Sequence, residues 1–509
     1  MKKLNLLFIA VFSMSSIYAQ DISDALRFSQ SEIQGTARFR ALSGAFGALG
    51  GDLSAVSLNP ASSAVFTRSH ASVTGSSLGI KNKTQYFDGT NNNNDSDFGI
   101  NQLGAVFVFE SNNSSWRKIT LAVNYDKTNG FDENWRAEGL NTNDDGQFSN
   151  SIASYFFDFA DGLRLDEISA RPTESLSDAY FDIGSSFGFA NQQAFLGFES
   201  FILEPENPGD DANTLYTSNV SSGNFNQDYN YASTGYNGKI TFNIAAQYED
   251  NLYIGLNLNS HFISYDRSTL LFENNSNAGS IINNIEFENN LSTVGSGFSF
   301  QLGGIMKLSP EFRVGLTYDS PTWYTIEEET SQFLATDGND SGTNITQIIN
   351  PNEINIFPRY KIQTPANITG SLAYIFGKQG LISFDYSKKD YSNTKLRPDS
   401  DFNDLNDGIS DVLTDASTYK IGAEYKHKQL SFRGGYRFEE SPYADGVTVG
   451  DLNGYSLGIG CNFGNTKLDL TYDQSERSFE TPLFNQGLIE TANIDRKNSN
   501  ITLSLSFNL

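Results

Sequence analysis

The last nine residues alternate without a break: Ile501, Leu503, Leu505, Phe507 and Leu509 are apolar, while Thr502, Ser504, Ser506 and Asn508 are polar. A period of two marks a strand with two unlike faces. The same alternation returns at 240–248, 382–386, 455–463 and 468–472. Together these signals predict fourteen strands, beginning near residues 69, 98, 116, 236, 251, 291, 311, 360, 379, 417, 429, 452, 465 and 498. Short turns are expected at 111–115, 249–251, 308–311, 377–380, 426–428 and 464–465, and long loops at about 81–97, 129–230, 266–290, 325–357, 390–415, 440–450 and 475–497. An even number of strands, with short turns at one end and long loops at the other, is the layout of a transmembrane antiparallel β-barrel. Aromatics agree with it. Tyr125, Tyr318, Tyr386, Phe438 and Tyr472 end the outward strands, and Tyr248, Phe376, Tyr425 and Phe507 end the inward ones. That makes two girdles, one at each membrane interface. The predicted fold is all-β: a 14-stranded barrel whose lipid face carries the apolar half of each alternation.

Composition narrows the class. Mean hydropathy is -0.38, yet the chain holds 40 Phe and 24 Tyr, as a barrel with a lipid face, a polar lumen and polar loops requires. The net charge of -26 argues against nucleic acid, which needs clustered Lys and Arg. Lys2 and Lys3 precede an apolar run at 4–12 and small residues up to Ala19, which predicts a signal peptide over residues 1–19. Nothing else reaches the roughly 18–20 apolar residues of a spanning helix. The single Cys461 allows no internal disulfide, and His70, His261 and His427 are too scattered for a zinc site. No metal and no cofactor are expected. No G-x-S-x-G elbow is present, and an enzyme is not expected.

A fourteen-stranded lumen is wider than wall side chains fill. Residues 20–66 are expected to plug it as a hatch, with 67–509 forming the barrel and 129–230 a helical outer loop. The hatch is rich in small residues: 35–38, 43–52 and 57–62. Its glycines at 44, 47 and 50 do not read as a nucleotide loop, because no βαβ unit surrounds them. Asn59-Pro60-Ala61 closes this segment, ahead of the strands. This arrangement, with the stretches 307–318, 364–374, 419–442 and 454–472, resembles the outer-membrane long-chain fatty acid and hydrocarbon transporters of the FadL/TodX type. The resemblance implies capture among the outer loops, a lumen pocket beside the hatch, a hatch shift, and sideways release through a break near the third strand, about 116–127. It implies no ATP or TonB coupling. It also implies a monomer in the outer membrane, whose partners are hydrophobic small molecules and membrane lipid.

Site residues follow from chemistry. Asn59, Pro60 and Ala61 are expected to gate: Pro60 fixes its own φ and extends Asn59. In the outer loop, Phe156 and Phe159 fall at helical spacing, with Phe181, Phe187, Phe195 and Phe198 following, and these are expected to bind ligand. Each buried CH₂ contributes roughly 0.8 kcal/mol, enough to hold a long chain without special chemistry. Lys420, Glu424, Arg433 and Arg437 are expected to face the lumen, either meeting a ligand head or holding the hatch in a salt-bridge network. Arg38 and Arg40 are expected to anchor the hatch to lumen carboxylates. A polar diffusion porin and an adhesive or structural barrel are the alternatives.

Overall fold

The computed structural model describes residues 21–111 and 113–509; the signal peptide expected over 1–19 lies outside the described residues. Fourteen strands close one barrel. In order they are His70–Tyr86, Gly89–Glu110, Trp116–Gly130, Phe225–Tyr248, Leu252–Asn274, Ile282–Lys307, Phe312–Asp319, Asn367–Phe376, Gly380–Asp390, Asp415–His427, Leu430–Glu439, Leu452–Asn462, Thr466–Pro482 and Thr491–Asn508. Neighbours pair antiparallel, and the fourteenth strand returns to the first through Gly75↔Leu503. Closure pairs every strand on both sides over at least part of its length.

The faces are inverted relative to a soluble protein. Ile501, Leu503 and Phe507 are exposed on the outer surface, while Thr502, Ser504 and Ser506 are buried toward the lumen. The same holds for Ile240, Phe242 and Ile244 against Thr241 and Asn243. All the short turns expected between strands are found between them.

Four of the expected long loops are corrected. Residues 81–97 continue the first two strands to a turn at Phe87 and Asp88. Residues 266–290 continue the fifth and sixth strands. Residues 325–357 hold the strands Trp323–Asp340 and Thr343–Ile349, the former paired on the upper sixth strand. Residues 475–497 continue the last two strands, up to Pro482↔Thr491. These extensions rise past the aromatic girdle, where no lipid demands an apolar face. Runs such as Asn91 to Asn94 are polar on both sides, so the period-two signal that reveals the lower strands is missing there.

Above the barrel, the connection between the third and fourth strands carries the strand Glu133–Asn141 and helices α4 (Ile152–Ala160), α5 (Leu176–Phe187) and α6 (Phe189–Glu199). Capping sets their starts. Ser151 caps α4 and also donates to Glu273, whose other carboxylate oxygen accepts the Ile152 N–H at 3.0 Å. Ser175 caps α5 through the Asp178 N–H. Gly188, at φ 94, separates α5 from α6 in a conformation that favours glycine. The helices pack on the strand extensions around Phe156, Phe195, Phe225 and Phe287.

Candidate functional site

The N-terminal segment lies inside the barrel. It holds α1 (Ile22–Ser29), α2 (Ala37–Ala41), α3 (Leu53–Val56) and a 3₁₀ turn at Pro60–Val65. Each start is capped by a side chain: Asp21, Thr36, Asp52 and Asn59. Elements this short do not persist alone in water; the barrel wall holds them. On one side the Ala37 N–H donates to Ser504 Oγ at 2.6 Å, and Ser456 Oγ donates to Ala41 O at 2.9 Å. Asp385 accepts the N–H groups of Phe46 and Gly47 at 2.9 and 3.0 Å. On the other side Asn243 Nδ2 donates to Pro60 O at 2.9 Å and Gln301 Nε2 to Ser57 O at 3.0 Å. Lys118 Nζ closes the end of the segment on Phe66 O at 2.7 Å.

Wall glycines make this fit possible. A Cβ on Gly255 would stand 2.4 Å from Pro60 C, one on Gly303 2.1 Å from Asn59 Oδ1, and one on Gly315 2.4 Å from Gly47 O. Gly422, Gly435 and Gly458 seat Leu42 and Ala41 in the same way. The segment's backbone therefore rests directly on the wall.

Asn59, Pro60 and Ala61 form one joint. Asn59 caps the 3₁₀ turn through the Ala61 N–H at 3.1 Å. Its Nδ2 donates to Gly47 O at 2.7 Å within the segment and to Gly304 O at 3.1 Å on the wall. The charges divide into two groups. Arg38 Nε meets Glu424 at 3.0 Å, Arg433 Nε meets the same carboxylate at 2.6 Å, and Arg433 Nη1 meets Asp469 at 2.5 Å. Burial works against the Arg38 charge, yet Glu424 and Asp52 hold its pKa above the ordinary value. Arg40 grips Asp473 with both arms at 2.8 Å. Glu424 and Arg433 thus belong to the contact with the segment, whereas Lys420 and Arg437 line a separate cavity above it.

That cavity, ≈ 410 Å³, lies in the upper lumen beside α1. Phe28 meets the rings of Phe131 and Tyr265 edge-on, and Arg27 lies over Tyr265 at 4.3 Å. Leu26 and Ala25 pack with Ile326, Ile362, Leu396 and Ile409. The cavity lining itself is mostly polar and charged, and includes Lys389, Lys420, Arg437, Arg477 and Arg496. Sequence reasoning missed Arg477 and Arg496, because the stretch holding them read as a loop with no lumen face.

The wall has a break beside the same segment. Pairing between the second and third strands runs from Glu110↔Lys118 only to Gln102↔Asp126. Beyond it the second strand pairs with the first alone, and the third with the fourth. Lys127 Nζ bridges the break to Asp97 at 2.9 Å. From inside, the Glu32 N–H donates to Thr128 O at 3.0 Å, and Asn101 Nδ2 donates to Gln34 Oε1 at 2.9 Å.

The six loop phenylalanines do not form one open groove. Phe156, Phe159 and Phe195 are buried in the loop core and Phe198 packs against it. Phe181 and Phe187 are exposed, at 57% and 49%.

Solved structures share this architecture. A Pseudomonas aeruginosa FadL homologue aligns at TM-score 0.54 and 12% identity, over 94% of this chain and 99% of that one. The P. putida toluene transporter TodX aligns at TM-score 0.51 and 13% identity, again over 94% and 99%. At such identities the likeness concerns the fold. No curated protein matches the chain. The model of the outer membrane protein transport protein family (OMPP1/FadL/TodX) matches residues 211–500, more than half of the sequence. The chain belongs to that family: it is an outer-membrane transport channel and not an enzyme.

Proposed function

We propose that the protein passes hydrophobic small molecules, long-chain fatty acids or aromatic hydrocarbons, across the outer membrane without an energy source, as a monomer. Outer loops collect the molecule, the upper lumen receives it, and the N-terminal segment acts as a hatch whose shift releases it sideways into membrane lipid. One observation carries this reading: the lower lumen is filled by the chain's own residues, while the wall break lies directly against Glu32 and Gln34. A route straight down is shut, and a sideways route is closed by a few hydrogen bonds. The toluene-transporting neighbour TodX supports a hydrophobic cargo. Asn59, Pro60 and Ala61 serve as the joint about which the hatch is held. Phe181 and Phe187 offer rings to passing ligand, and Phe156, Phe159, Phe195 and Phe198 hold the helices that present them.

A disulfide across Glu32→Cys and Thr128→Cys tests the gate, since the two backbones are hydrogen-bonded. Oxidised cells should lose most uptake of oleate and toluene, and reduction should restore it. Uptake that is equal in both states would refute sideways release.

A further inference from the structure

We infer that one arc of the short-turn rim binds the headgroups of anionic phospholipids in the inner leaflet of the outer membrane. The arc holds the turns at 377–379, 428–429 and 463–465, between the eighth and thirteenth strands. Over 375–380, 425–430 and 461–467 the sequence carries Lys378, Lys426, His427, Lys428 and Lys467 and no Asp or Glu, in a chain whose net charge is -26.

Backbone pairing joins the three turns into one shelf. The Lys426 N–H donates to Gln379 O at 2.7 Å, and the Asn462 N–H to Gln429 O at 2.9 Å. Lys378, His427 and Lys428 are exposed on it. Among the described residues Lys378 and Lys428 form no ion pair within 4.0 Å. Lys426 and Lys467 belong to the lumen side. Lys426 meets Glu424 at 3.2 Å, a carboxylate that Arg38 and Arg433 already share. Lys467 is the register partner of lumen-facing Ser506, and the nearby Asp469 is held by Arg433 at 2.5 Å. The buried acids therefore leave the turn lysines unneutralised.

The opposite arc is mixed. Around the turns at 111–115, 249–251 and 308–311, Glu110, Glu249, Asp250 and Glu311 stand with Arg68, Arg117 and Lys307. Arg117 meets Glu249 at 3.7 Å, and Lys307 Nζ donates to Asp250 O at 3.4 Å.

A cationic arc fits an acidic protein or an anionic membrane, and its surroundings favour the membrane. The same turns carry lipid-facing rings. Phe376, Tyr425, Phe432 and Phe463 are all exposed, Phe463 at 64%. Such rings mark the interface between hydrocarbon and water. Lys378 follows Phe376 by two positions, and Lys428 follows Tyr425 by three. A lysine stem lies along apolar surface while its ammonium reaches the headgroups. Near an anionic bilayer each lysine strengthens binding roughly fivefold.

Full-length protein in detergent, offered equimolar phosphatidylglycerol and phosphatidylethanolamine and read by native mass spectrometry, tests the arc. Phosphatidylglycerol should be retained at least about fivefold over phosphatidylethanolamine, and equilibration in high salt should shrink that preference. In the double variant Lys378→Gln, Lys428→Gln it should fall toward unity. Lys378→Arg, Lys428→Arg should keep it, which separates charge from folding. Glu249→Gln, Glu311→Gln, on the opposite arc, should keep it as well. Equal retention of the two lipids by the unaltered protein, or a preference that survives in Lys378→Gln, Lys428→Gln, overturns the inference. Tighter binding of soluble polyglutamate than of phosphatidylglycerol overturns it too, in favour of an acidic protein partner.

Discussion

The lower and upper lumen are built by the same strands and filled in opposite ways. Below, the N-terminal segment lies backbone-first on wall glycines, and its charges are matched: Arg38 with Glu424, Arg40 with Asp473. Above, open space is lined by long cationic side chains in looser pairs: Arg437 and Arg477 share Glu439 at 3.5 and 3.6 Å, and Arg496 meets Glu133 at 3.4 Å. Small residues and tight ion pairs close a tube; long side chains in loose pairs leave it open. The break between the second and third strands lies at the junction of the two regions.

The largest way to break this contrast is Glu424→Ala. It strips Arg38 of its carboxylate and Arg433 of one of its two, and removing one member of a buried ion network costs about 3–5 kcal/mol. The variant should show a lower unfolding temperature on heat-modified gels and a leakier barrel in liposome conductance. Arg437→Ala, in the open region, should cause neither. If both variants lose stability equally, the lower charges are no more structural than the upper.

A smaller effect is expected from the glycine seats. Gly303→Val drives a side chain into Asn59, and Gly315→Val into Gly47. Overpacking of this kind costs about 1–3 kcal/mol, here by displacing the segment, so single-channel conductance should rise. Gly370→Val is the control, since nothing lies within 4 Å of a Cβ there.

The same two regions mark what the sequence made legible. In the membrane band one face must be apolar, so residues such as Ile501 and Thr502 declared strand and orientation from the sequence alone; their register came only with the fold. Above the band that demand lapses. Asn91 to Asn94 lie in a strand, yet nothing in their polarity says so. The anchoring of Arg38 and Arg40 to carboxylates was expected; the particular partners, Glu424 and Asp473, are brought together across 386 and 433 residues of chain by closure. Asn59-Pro60-Ala61 was conspicuous as a motif. The glycines it rests on were not, because glycine in a strand alternation looks like noise until the opposing backbone is seen. The loop phenylalanines divided for a related reason: helical spacing shows that Phe156 and Phe195 belong to apolar faces, but not whether a partner or solvent meets Phe181.

The smallest expected effect concerns α1, which spans the boundary between the two regions, and it depends on pH. Asp24 is buried, which alone would raise its pKa, but Arg27 and Arg267 outweigh burial and hold it below the ordinary 3.8. Asp21 moves the other way, raised by burial and by the neighbouring Asp24 charge. The signs then separate. As pH falls toward the ordinary carboxylate range, Asp21 takes up its proton more readily folded than unfolded, which favours the docked helix. Asp24 contributes fully above 3.8, and its contribution is lost as pH falls through its depressed folded value. Hydrogen exchange over residues 22–29 should therefore stay slow from neutral pH to about 4 and quicken only below the ordinary Asp pKa. Asp24→Asn should remove that acid step and leave the backbone bonds around Asn59 as protected as before. An acid step that survives in Asp24→Asn would assign it to the barrel wall instead of to α1.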